Sequence, residues 1–273
     1  MAITTVDGII AGAKPNRPFH KSITPTLVIG RPQSLWGLGG NPGAGSFDTT
    51  LAGVALSSAS SPVNGQLVFD AGTSSSVFNY VSRFGGYSTG AGSHFYLCDR
   101  LWHNGGFTIT LNTAQTVNSA TFPARDEDGA TSGKGVLLGL EISSAAGAAA
   151  PTITVSYTNS EGVSGRTGTN SFATANSPVA GAFFPIGLQA GDRGVRSVQS
   201  LTLSASWVSG TMNLVAYRLL ASSDSISAGG GSSVDAVTGN LAKAYNGTVP
   251  FILVIPSATT AAHVHGHYGW TQG

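Results

Sequence analysis

Thr152-Ile153-Thr154-Val155-Ser156-Tyr157, followed after Thr158 by Asn159-Ser160-Glu161-Gly162, decides how the chain is read. Polar and apolar residues alternate, and the first four positions are β-branched. Period-2 alternation puts one face of an extended strand on a core and the other toward solvent. β-Branched residues suit that pleated, half-buried surface. Asn, Ser and Gly then supply turn chemistry. Working outward, the same grammar recurs. Gly135–Ile142 and Ala182–Ile186 read as strands. Val198–Ser206 and Met212–Leu220 read as a hairpin broken at Gly210. Upstream, Gln66–Phe69, His94–Cys98 and the alternating Gly106-Phe107-Thr108-Ile109-Thr110-Leu111 are further strands. Phe251–Ile255 is continuously apolar, as in a strand buried on both faces. Many short strands separated by Gly- and Ser-rich turns predict an all-β, antiparallel β-sandwich of jelly-roll type.

The sandwich is expected over 63–222. Residues 1–62 read as an extended N-terminal arm. Pro15, Pro18, Pro25, Pro32 and Pro42 interrupt every candidate element, and five glycines between 37 and 45 add breaks. Yet Phe19, Leu35 and Trp36 are too apolar for a solvated linker, which makes them candidate interface residues on a neighbouring subunit. Residues 223–273 read as a C-terminal extension hinged at Gly229-Gly230-Gly231. It is expected to hold a helix capped by Ser232 or Ser233, with Val234, Val237, Leu241 and Tyr245 near helical spacing.

Composition narrows the function classes. Asp, Glu, Lys and Arg make up 9 % of the 273 residues, against about 25 % in ordinary soluble domains. A free monomer this poor in charge is weakly solvated, so a surface covered by neighbours is expected. Net charge is +1, which leaves no electrostatic footprint for nucleic acid. No apolar run reaches the roughly 20 residues of a membrane helix, and the first residues lack the pattern of a secretory signal. Cys98 stands alone, so no disulfide or cysteine-based zinc framework is expected. Assembly in a reducing host cytoplasm fits this.

Few residues suggest chemistry. Gly86-Tyr87-Ser88-Thr89-Gly90 matches a nucleophile-elbow pattern, but nothing helical follows, as that motif requires. Asp126-Glu127-Asp128 reads as a solvated loop, with calcium as the alternative. Asn246-Gly247-Thr248 reads as a turn. Asp99 with Arg100, or Asp192 with Arg193 and Arg196, are expected as charge pairs at strand ends. The strongest local pattern is His263-Val264-His265-Gly266-His267-Tyr268-Gly269-Trp270. On a strand, His263, His265 and His267 share one face, where imidazoles can hold a transition metal. Otherwise no cofactor is expected. In the alternative reading the tail packs on a neighbour through Tyr268 and Trp270, aromatics being common at interface cores.

Three stretches, Phe95–Gly106, Thr154–Arg166 and Leu188–Val198, resemble virion structural proteins of tailed bacteriophages. The resemblance covers about residues 94–220. It implies a head or tail component of decoration, cement or spike type, located in the virion, with major capsid or tail proteins as partners. A similar His-x-His pattern occurs at the tips of trimeric contractile-tail spikes, where it resembles an iron site; only the short motif matches. The expectation is therefore a non-enzymatic structural protein that forms a homotrimer and holds its neighbours through arm and tail. A host glycan is the alternative partner, with Trp36, Trp102 or Trp270 as stacking candidates and Trp207 placed in the core.

Overall fold

The structure, a computed structural model, describes residues 3–70, 72, 77–170, 177–239, 242–260 and 262–273. It is all-β, with antiparallel sheets as expected. The chain divides into two units, one of residues 1–45, 57–99 and 219–273, the other of 46–56 and 100–218.

In the first unit a sheet runs in the order Ser232–Asp235, Asn79–Ser88, Ala262–Gln272, Arg17–Ile23, Gly40–Asn41, with Lys243–Ala244 also on Asn79–Ser88. A second layer is built from Gln33–Ser34, Pro250–Pro256 and residues 93–99. Phe19, Val81, Phe84, Val264, Tyr268 and Trp270 from the first layer meet Phe95, Leu97, Ile252 and Val254 from the second in one core. The alternation along Ala262–Gln272 explains this packing, because every second side chain reaches the same face. Gly266 belongs to that inward set: a Cβ there would fall 2.3 Å from Phe19 Cζ, so glycine lets the ring lie across the strand.

In the second unit, residues 211–218 begin an order that continues Leu137–Ser144, Phe183–Gly187, Arg166–Asn170, Ile153–Asn159, Val195–Leu203 and Gln115–Thr116. Side chains from both ends of that order, Leu140 and Leu214 against Val155, Val198 and Leu201, share one core. The sheet therefore curls on itself. Gly139 permits the close packing of Phe183, whose Cζ would stand 2.1 Å from an added Cβ.

Several expectations are corrected. Residues 1–62 are not an arm: Arg17–Ile23 pairs along its length with Ala262–Gln272, from Arg17 opposite Tyr268 to Ile23 opposite Ala262. Ahead of it, Thr5 caps a short helix, Val6–Ala11, accepting from the Gly8 N–H at 3.1 Å. Pro15, Pro25, Pro32 and Pro42 lie outside the strands, and Pro18 is the second residue of its strand, near the end where proline is tolerated. The 223–273 segment is no appendage, since it supplies the strand between Asn79–Ser88 and Arg17–Ile23. The expected helix is instead the strand Ser232–Asp235, pairing with Arg83–Gly86, then a turn; Leu241 lies outside the described residues. Gly229 is tied by its N–H to the Ser88 carbonyl at 2.9 Å. Val195–Leu203 and Thr211–Ser225 do not form a hairpin: the first pairs with Ile153–Asn159, the second with Leu137–Ser144. Gln66–Phe69 and Gly106–Leu111 are irregular, although Leu67, Phe107 and Ile109 are buried.

Candidate functional site

The strand Ala262–Gln272 turns Val264, Tyr268 and Trp270 into the core and leaves His263, His265 and His267 on its other face. Strand pairing adds a fourth histidine there. His20 is directly opposite His265, and Tyr87 flanks His265 on the other side. The three rings stand in a row: His20 to His265 is 6.1 Å between centroids at 21°, and Tyr87 to His265 is 5.3 Å at 20°. His263 is 6.3 Å from His265 along the strand. His20 and His263 are exposed and His265 is half-buried. His267, two residues further along the same face, has its Nε2 buried with no hydrogen-bond partner. Burial, then the nearby Arg83 charge, push its pKa down. Among the described residues, with their side chains as they stand, no group of three His, Cys, Asp or Glu could hold a metal ion. The trio His263, His265 and His267 shares a face, as its spacing predicts.

The predicted interface residues lie elsewhere. Phe19, Leu35, Trp36, Tyr268 and Trp270 are all buried inside the first unit. Trp36 meets Phe251 edge-on at 6.3 Å, and Trp270 meets Phe69 edge-on at 5.1 Å. They cannot anchor a neighbour without leaving their own core. Trp102 and Trp207 are equally buried, so no tryptophan offers a face to a sugar ring.

The charge pairs also differ from expectation. Asp192 is paired not with its sequence neighbours but with Arg166, at 2.9 Å. Its carboxylate also accepts from the Tyr157 hydroxyl at 2.6 Å and from Asn159 Nδ2 at 2.8 Å. The Arg166 hydrogen bond, outweighing desolvation, holds the Asp192 pKa down at about 2. Tyr157 in turn accepts the Gln189 N–H at 2.8 Å, and burial, then Asp192, raise its pKa to about 12. Two of the three stretches that carry the phage resemblance therefore meet at one carboxylate. In the third, Arg100 pairs with Glu141 at 2.7 Å, both fully buried. Asp99 accepts the Val249 N–H at 2.9 Å. Arg100 Nε donates to His103 Nδ1 at 3.1 Å, and burial, then the Arg100 charge, hold His103 neutral with a pKa of about 2. These groups fix backbone and register; they face one another inside the fold.

Neither of the other motifs makes a catalytic group. Ser88 ends its strand, and its hydroxyl accepts the Gly90 N–H at 3.3 Å; a turn follows, not a helix. Asp126 accepts from the N–H groups of Asp128, Ala130 and Gly133 and from the Ser132 hydroxyl. Burial would raise its pKa, but these four bonds hold it below the ordinary carboxylate range. Its oxygens are thus committed to shaping the loop. Asn246-Gly247 is a turn, as read. No helix among the described residues is long and apolar enough to cross a membrane.

No protein-family model matches the chain, and no curated protein matches it. Among solved structures, it is similar to the VP2 subviral particle of infectious bursal disease virus, at 12 % identity and a TM-score of 0.17, covering 95 % of this chain and 81 % of that one. The Gx strain of the same virus gives 11 % identity and a TM-score of 0.18, covering 95 % and 80 %. At such scores the likeness carries no argument about function.

Proposed function

We propose that the chain is a non-enzymatic structural component of a virion, a tailed-phage particle, that forms a homo-oligomer, a trimer, and decorates or cements the head or tail. The resemblance over residues 94–220 and the charge-poor composition support this reading. The observation that carries it is a groove in the first unit of about 560 Å³, lined by Ile29, Ile226, Ile255 and Pro256 with His94 and Asp224 beside them. Ile226 is 93 % exposed and Ile29 62 %. Fully burying such a side chain stabilises by about 1.5–3 kcal/mol, and apolar surface held out in water is characteristic of contact sites. Contacts through the unit's own surface replace the arm, whose apolar residues are already used inside the fold. Repeated weak contacts then add, because each follows the first as an intramolecular event.

Light scattering of the purified protein under native conditions tests this, with and without chelator. The trimer mass is expected for the unaltered protein and a lower mass for Ile226→Asp. A monomer at every concentration that also fails to bind purified particles would overturn the reading.

A further inference from the structure

From the strand register we infer that His20, His263 and His265 form a divalent transition-metal site on the outer face of the six-stranded sheet, with His20 taking the place that spacing alone gives to His267. The argument begins with the pairing. His20 and His265 are opposite one another on neighbouring strands, where Cβ atoms lie about 4.5–5.5 Å apart. His263 lies two residues along on the same face. Both outer rings are within 6.3 Å of the middle one. Imidazole nitrogens hold zinc at about 2.0–2.1 Å, which for a tetrahedral ion puts them roughly 3.3 Å from each other. The site therefore requires the exposed His20 and His263 side chains to rotate toward His265 when the ion binds.

The surroundings suit a cation. The residues paired with or bonded to these three histidines on the neighbouring strands and turn include Ser22, Asn41, Tyr87 and Thr89, none of them cationic. Tyr87 stacks on the far side of His265 and restrains its ring. An all-imidazole set selects zinc, nickel or copper over calcium or magnesium. His267 does not join, because its Nε2 is turned into a buried position. This inference is independent of the virion role proposed above.

The test is titration of the full chain with zinc by calorimetry and with cobalt(II) by absorption, beside His20→Ala, His265→Ala, His267→Ala and His94→Ala. One equivalent of metal is expected. His20→Ala and His265→Ala are each expected to weaken binding by about tenfold or more, a loss seen even for outer partners of metal ligands. His267→Ala and His94→Ala are expected to bind as the unaltered protein does. The imidazole NMR signals of the unaltered protein give a reading that needs no variant: those of His20, His263 and His265 should shift on adding zinc. No uptake of metal, or uptake unaffected by His20→Ala, would overturn the inference, as would shifts confined to other histidines.

Discussion

Lys21 should make the protein more stable as the solution turns alkaline. Its side chain points into the first unit and is 3 % exposed. The ammonium donates to two backbone carbonyls, Leu38 at 2.9 Å and Gly43 at 3.2 Å. Burial lowers its pKa from 10.5 to about 8. Below pH 8 the lysine is charged in both folded and unfolded chains, and the folded state carries the full cost of burying that charge. Between about 8 and 10.5 the folded chain has lost the proton while the unfolded chain keeps it. The unfolded state then binds more protons, so stability rises with pH. The interval corresponds to about 3 kcal/mol at most, and about 1 kcal/mol per pH unit within it. Other groups act in the opposite direction. The Cys98 thiol, raised first by burial and then by Asp99, loses stability above its unfolded value of 9.0. Tyr157 and Tyr268, both held near 12, oppose from about pH 10 upward. The clean measurement is therefore a difference. Urea unfolding of the unaltered protein and of Lys21→Met should be compared at intervals from pH 7 to 10.5. Methionine keeps the apolar stem in place, and the two carbonyls it leaves without a donor contribute an offset that does not vary with pH. The unaltered protein should gain on the variant by about 3 kcal/mol across the range. A difference that stays flat would refute the account of Lys21 as a charged group buried at neutral pH.

Other outcomes follow from the same geometry. Glu141→Gln leaves the Arg100 guanidinium buried without its counter-charge, and should cost about 3–5 kcal/mol in denaturant unfolding. Arg100→Met combined with Glu141→Leu should recover most of that loss, since burying an ion pair is itself expensive. Asp192 has its pKa depressed to about 2; the stability it confers is present above about pH 4 and is lost as pH falls toward 2. Asp192→Asn should flatten that part of the acid-unfolding curve. Gly266→Ala drives a methyl group into the Phe19 ring and should cost about 1–3 kcal/mol, read as a lowered melting temperature.

The strands that could be read from sequence are those whose pattern is local. Ile153–Asn159, Leu137–Ser144, Phe183–Gly187 and Pro250–Pro256 all show their alternation or their continuous burial within the segment itself. Gly106–Leu111 shows the same alternation and is not a strand. Its Phe107 and Ile109 are buried, but both backbone groups of Thr108 are taken by the Gln115 side chain, at 2.8 and 3.0 Å. Periodicity reports which side chains are inside, not where the backbone bonds go. The N-terminal segment misleads for a different reason. Its apolar residues lack a local partner because the partner strand is Ala262–Gln272, at the far end of the sequence. The histidine face was half legible for the same reason. Spacing puts His263 and His265 together, while His20 joins them only through a register that no local pattern encodes. Asp192 likewise finds Arg166, Tyr157 and Asn159 rather than its neighbours Arg193 and Arg196.

The pairing of Arg17–Ile23 with Ala262–Gln272 also sets a timetable for synthesis. Residues 46–56 and 100–218, which make up the second unit, are all translated before Ala262–Gln272. That unit can close while the chain is still growing, as domains commonly do. The first unit cannot: the middle strand of its six-stranded sheet is translated long after both of its neighbours, Arg17–Ile23 and Asn79–Ser88. Until it arrives, Phe19, Phe84 and the flanks of Arg17–Ile23 and Asn79–Ser88 have no partner between them, and contacts this distant in sequence form slowly. Nascent chains are thus exposed to mispairing at Arg17–Ile23 and Asn79–Ser88 until the strand between them is made, and a block placed just before residue 262 should yield a protein folded in the second unit alone.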